Sequence, residues 1–255
     1  MNNKVIGLKI IIFFSIFTVL FYTCIPKKNT AREYKELAEG YRLKAKMKKS
    51  ARTLEKAAKL DPNDPDIYIL LAEAICDGWN PGPKVNSRIT AAYNNAFMIQ
   101  PWSARALLSR AKFHEFNSEY RLAEQNLDSL LRRDPGNVEA YLLKADIHFN
   151  RTDTTGFNIL RAAYDKVQYK DRSRIVHAQA IKEFQLTMYI RSINSFKKDI
   201  ALSEKKKIVS SYCYLARAYA AIEKKDSACR YYTFCEDKWF YRNFDTKELN
   251  TLCGK

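Results

Sequence analysis

Catalysis or metal binding would have to start from histidine, cysteine and paired acids, and this chain offers few of them in useful spacing. Its three histidines are His114, His148 and His177. Glu115 follows His114, and Asp146 precedes His148 by two residues, so on a helix these acids sit on other faces than the imidazoles. His114 and His148 therefore read as packing side chains, with a metal pair as the competing reading. The six cysteines are Cys24, Cys76, Cys213, Cys229, Cys235 and Cys253; they match no zinc spacing and include no CxxC. Cys229 and Cys235 share one predicted helix, where their Cα atoms would lie ~9 Å apart, too far for a disulfide. Most of the six read as small apolar packers. There is no Gly-rich phosphate loop, HExxH or GxSxG, and no nucleophile beside a base. The expectation is a non-catalytic protein without metal or cofactor.

Cys24 stands in a different setting. Lys4 and Lys9 precede an apolar run from Ile10 to Tyr22, interrupted only by Ser15 and Thr18, and Lys27 and Lys28 follow. A basic stretch before such a run is an export signal pattern. A cysteine right after it resembles the bacterial lipoprotein signal, which implies cleavage before Cys24 and lipid attachment to it. That family prefers Leu three residues before the cysteine and a small residue just before it; here Phe21 and Thr23 occupy those places. The alternative is an uncleaved single-pass anchor: Val5 to Ile25 is 21 residues, enough to cross a bilayer. Residues 1–25 are thus read as a signal or anchor, and the protein as a membrane-attached component of the cell envelope.

The remainder repeats itself. Pro62, Pro101 and Pro135 each close a helical segment and are 39 and 34 residues apart, and Tyr34 and Tyr68 are 34 apart. Within a unit, apolar residues fall at i, i+3, i+4 and i+7, the period of a half-buried helix. The first unit, 31–64, has Tyr34, Leu37, Ala38, Tyr41, Ser50, Leu54, Ala57 and Pro62; the last, 209–242, has Tyr212, Leu215, Ala216, Tyr219, Ala228, Tyr232 and Cys235. Units at 65–103, 104–137 and 138 onward follow the same order. This pattern resembles the tetratricopeptide repeat (TPR), in the style of bacterial envelope TPR lipoproteins. The resemblance implies an all-α helix-turn-helix solenoid over 31–242, of about five repeats. It is weakest at 171–208, a degenerate helix pair. Residues 243–255 read as a capping helix or tail, with Asp245 and Glu248 as a capping-box-like pair.

In TPR proteins the partner lies on the first helix of each repeat, chiefly at positions 2, 5, 9 and 12. That resemblance implies Lys35, Ile69, Leu108 and Leu142 at position 5, Glu73, Lys112 and Arg217 at position 9, and Phe149 at position 12. The mixture suits an amphipathic helix or extended peptide of a protein partner. It does not match the TPR carboxylate clamp, because Glu39 stands where that clamp needs Asn. Five further residues lengthen the second repeat and are expected in the loop Cys76–Lys84, where Trp79 is either a contact residue or folded back on helix ends. The net charge of +16 suits an anionic partner. Its densest run, Arg42 to Lys49, and the second at Lys205–Lys207, lack the interleaved aromatics of a nucleic-acid surface. A basic module for nucleic acid or an anionic membrane surface remains the second reading. If residues 1–25 hold the chain at a membrane, deleting them releases a soluble, folded protein in fractionation. Under the lipoprotein reading Cys24→Ala also abolishes lipid labelling; under the single-pass reading it does not.

Overall fold

The computed structural model describes residues 30–79, 82–203, 209–235 and 247–254. Cys24 and the whole apolar segment lie outside them, as do Lys205–Lys207 and Asp245; no described helix is long and apolar enough to cross a membrane. The described residues form thirteen α-helices and no strand. Twelve make six consecutive antiparallel pairs. These are α1 (Ala31–Leu43) with α2 (Met47–Leu60), α3 (Pro65–Gly78) with α4 (Pro83–Ile99), and α5 (Ala104–Phe116) with α6 (Tyr120–Arg133). The others are α7 (Val138–Asn150) with α8 (Thr155–Lys166), α9 (Arg172–Gln185) with α10 (Tyr189–Leu202), and α11 (Val209–Ala221) with α12 (Lys225–Tyr232); α13 (Lys247–Cys253) follows. This all-α arrangement is the TPR fold. The chain divides into two compact units, residues 1–101 and 102–255.

The first helices start where side chains can satisfy their free N–H groups. Thr30, Asp64, Ser103 and Asn137 each accept a backbone N–H from the first turn of α1, α3, α5 and α7. The first helices of five repeats end in one recurrent way. Ala45, Ser118, Thr152, Thr187 and Glu223 have φ of 53, 60, 60, 57 and 58°, in the left-handed region. Counting from 31, 104, 138, 173 and 209, each is residue 15 of its repeat. In every case the next residue donates its N–H to the carbonyl five residues back: Lys46 to Tyr41, Glu119 to His114, Asp153 to His148, Met188 to Glu183 and Lys224 to Tyr219. This is the Schellman closure, and it reverses the chain in three residues. The second repeat alone departs from it, with Trp79 at φ −134°.

The turn shows that the described residues of 171–208, expected to be a degenerate helix pair, follow the repeat in phase from residue 173. Ala180, Ser192 and Phe196 take positions 8, 20 and 24, all 0% exposed. Two buried acids hid the pattern. Glu183 replaces the usual tyrosine at position 11, where Ser195 Oγ donates to it at 2.6 Å and Gln179 Nε2 at 2.9 Å. Asp199 replaces the usual alanine at position 27 and is also 0% exposed. Ser173 Oγ and Ser211 Oγ each donate to its carboxylate at 2.6 Å, and His177 Nδ1 lies 2.8 Å away. A carboxylate with that many partners can be buried without an orphaned charge. It also joins α9, α10 and α11.

Two other expectations are corrected. The cysteines of the last repeat are not apolar packers: Cys213 pairs with Cys235 and Cys229 with Cys253 as disulfides, with Cα–Cα distances of 5.2 and 5.4 Å. Leu249 of α13 is buried against Cys213, Ala216, Tyr232 and Cys235, so a disulfide ties this terminal helix to α12. The five additional residues of the second repeat are mostly not loop. Cys76 to Gly78 complete α3, Pro83 and Lys84 open α4, and α4 runs for 17 residues against 14 for α2. Glycine at a helix C-terminus and proline at its first position are both compatible with helix.

Thr187 is β-branched and sits in the left-handed region, a costly combination. Thr187→Gly is expected to raise unfolding free energy by ~0.5–1 kcal/mol, the difference between that strain and glycine's added chain entropy. Urea unfolding of the full chain checks it.

Candidate functional site

Ion pairs cross the first-helix face in both units, but the groove positions are occupied differently. In the first unit, Lys35 Nζ lies 2.7 Å from Asp64 Oδ2, so position 5 of one repeat is tied to the N-cap of the next. Arg42 Nη1 lies 3.0 Å from Glu73 Oε2. Ile69 is 0% exposed and belongs to the core, because α3 turns that side chain between its neighbours. Lys35, Glu73 and Ile69 are thereby engaged within the protein. Burial, with Asp77 beside it, pushes the Cys76 thiol up from its ordinary pKa.

In the second unit Leu108 and Leu142 are half-buried and Lys112 is exposed. Phe149 is buried: its ring meets Phe157 edge-on at 4.9 Å, and a Cβ on Gly156 would stand 2.7 Å from it. Glycine at 156 is what makes room for that ring. Lys182 Nζ lies 4.9 Å over Phe149, and the Arg217 guanidinium 5.3 Å over Phe184. Arg174 on α9 reaches Glu139 on α7 at 2.7 Å. Desolvation raises the Asp146 pKa; Lys182 opposes this and Glu115 adds to it. The face therefore offers two leucines among cationic, anionic and aromatic side chains.

Sequence reasoning missed the contribution of α9 to this face: Arg174, His177, Lys182 and Phe184. The Ala180–Ser192–Phe196 spacing was the available signal, and the acids at 183 and 199 masked it. His177 does not make a nucleophile with Ser211. Ser211 Oγ and Asp199 both approach the same imidazole nitrogen, Nδ1, and Ser211 is 0% exposed. The arrangement holds a core carboxylate.

His114 and His148 close their own turns. His114 Nδ1 lies 2.6 Å from Glu119 Oε2, and His148 Nδ1 lies 2.9 Å from Asp153 Oδ2. Hydrogen bonds from His148, then from the backbone and hydroxyl of Thr155, pull the Asp153 pKa down to about 2. Because that pKa is depressed, the contribution to stability is complete above the ordinary carboxylate range and is lost as pH falls towards 2. Among the described residues no group of three or more His, Cys, Asp or Glu is arranged to hold a metal ion.

Trp79 is half-buried between two cations, with Lys48 Nζ 5.7 Å and the Arg88 guanidinium 5.3 Å from its ring. Arg88 also meets Glu55 at 2.8 Å. The basic run 42–49 lies at the far end of α1 from residue 30, ~20 Å away along a 13-residue helix.

No family model and no curated protein matches the chain. Solved structures do. PilF of Pseudomonas aeruginosa is 15% identical over 85% of this chain and 97% of its own, with a TM-score of 0.59. PilW, described as a widely conserved type IV pilus biogenesis factor, is 17% identical over 87% and 97%, with a TM-score of 0.58. A chain of the APC/C hetero-tetramer Cut9–Hcn1 is 16% identical over 89% of this chain but only 42% of that one, with a TM-score of 0.57. All are TPR-repeat proteins, and the likeness at these identities is one of fold.

Proposed function

We propose that this TPR chain is a membrane-attached, non-catalytic scaffold that holds a helix or extended segment of a protein partner on the first-helix face of its second unit. One observation carries the reading. At the positions where TPR first helices line a groove, the first unit is closed by Lys35–Asp64 and Arg42–Glu73. The second unit keeps Leu108 and Leu142 half-buried beside an exposed Lys112. Apolar anchors rimmed by charge are what an amphipathic segment requires.

The disulfides agree with the export signal. Paired cysteines persist in oxidising compartments and are rare in the cytosol. Cys213–Cys235 and Cys229–Cys253 therefore suit a chain attached to a membrane and facing an oxidising space. A role in assembling other envelope proteins is favoured by the pilus biogenesis factor among the similar folds, as an analogy of architecture.

The test is affinity isolation of the full chain from detergent-solubilised membranes. Leu108→Ala with Lys112→Glu is expected to reduce recovery of the wild-type partner by about tenfold or more, as loss of an interface anchor does. Arg161→Glu, a reversal at an exposed position of α8, leaves recovery unaltered. Equal recovery with the groove variant, at an unchanged melting temperature, would refute the assignment of the face.

A further inference from the structure

The turn edge of the first unit combines features that the sequence holds far apart. Gly78, at the end of α3, packs against the start of α2: a Cβ there would lie 3.0 Å from Met47 Cβ. The absence of a side chain lets the two turns meet. Along their shared edge stand Lys44, Lys46, Lys48, Lys49 and Lys84, all exposed. None of these lysines forms an ion pair with an acid among the described residues. Lys46, Lys48, Lys49 and Asp77 line a shallow cavity of about 410 Å³ here. Leu43 projects from the same edge, 89% exposed. Trp79 lies beside it, half-buried between Lys48 and Arg88.

The charge is placed against the protein's own interest. Lys48 and Lys49 occupy the first turn of α2, which has no acidic residue and no capping side chain. Cations there oppose the helix dipole. The other end of the unit carries Asp61, Asp64 and Asp66. A segregated basic edge, topped by an exposed leucine and an indole, has the composition of a bilayer interface: cations for anionic headgroups, and amphipathic rings at headgroup depth. The tether permits it. From Cys24 to Thr30 the chain spans at most ~21 Å, and α1 adds ~20 Å, so the edge can reach the surface in which the N-terminus is held.

We propose that Leu43, Trp79 and the lysines at 44, 46, 48, 49 and 84 form a docking surface for an anionic phospholipid bilayer, which lays the first unit on the membrane. The docking rests on the attachment proposed above. It fixes the orientation of the scaffold rather than its mere presence at the membrane.

The experiment uses the full chain reconstituted into vesicles of phosphatidylcholine, with or without phosphatidylglycerol, containing lipids brominated in the upper acyl chain. The signal is the part of the tryptophan quenching that Trp79→Phe removes. In anionic vesicles that part is expected to be present. It falls to the neutral-vesicle level at high salt, and in the variant Lys46→Gln/Lys48→Gln/Lys49→Gln, which removes only exposed side chains. Each lysine is worth about a fivefold change in surface affinity, so the triple change is worth about a hundredfold. Flotation in a density gradient reads attachment separately. A chain that floats with both vesicles but shows no Trp79-dependent quenching in the anionic ones overturns docking and leaves attachment standing. A chain that floats with neither overturns both. Relief of the quenching by duplex nucleic acid that itself binds the edge would also overturn it, assigning the lysines to a polynucleotide.

Discussion

A helix pair with one apolar face cannot bury that face alone, so everything in this protein depends on how closely successive helices can approach. That distance is set by an alanine at position 8 of each repeat. Ala38, Ala72, Ala111, Ala145, Ala180 and Ala216 recur in all six repeats, none more than 1% exposed. A methyl is the largest group that fits where the backbones nearly touch, because interiors are packed without slack. The small residues at position 20 (Ser50, Ala123, Ser192 and Ala228) serve the same approach from the second helix, each at most 1% exposed. The left-handed residue at position 15 then returns the chain at a fixed angle. Together they make each repeat a copy of the last, so side chains at positions 5, 9 and 12 line up along the stack within each unit.

Most of this was legible in the sequence because packing writes a period. The anchors at 4, 8 and 11 identify the repeats at 31, 65, 104, 138 and 209 from residue types alone, and prolines close the second helices of the first three. The fifth repeat was not legible, since Glu183 and Asp199 break the apolar pattern. Whether an acid can be buried depends on Ser195, Ser173, His177 and Ser211, which come from elsewhere in the chain and announce nothing in sequence. The disulfides were hidden for a similar reason. Cys213–Cys235 and Cys229–Cys253 are separated by 22 and 24 residues, and only the folding of α11, α12 and α13 onto one another brings them together. The groove was half legible. Position numbering finds its members, but not that Ile69 and Phe149 turn inward or that Lys35 and Glu73 are already paired.

The two units differ in how their first helices use the groove positions. The first spends its groove positions on internal ion pairs and presents a basic edge. The second has four repeats, half-buried Leu108 and Leu142 on its first-helix face, and a disulfide-bound end. Here α13 packs on the sixth repeat and is held by one disulfide as well as by buried area.

Only if α9 and α10 pack as a repeat does the first-helix face of the second unit run unbroken from Leu108 to Arg217. Ala180 lies in a cluster with Ile193, Phe196, Leu215 and Ala218. The most direct measurement compares Ala180→Leu with Ala145→Leu by urea unfolding of the full chain. If both alanines sit at the close approach of packed helices, each substitution lowers the unfolding free energy by a similar ~1–3 kcal/mol, as overpacking does. A neutral Ala180→Leu beside a costly Ala145→Leu would contradict the account and leave the second unit's face interrupted at its centre.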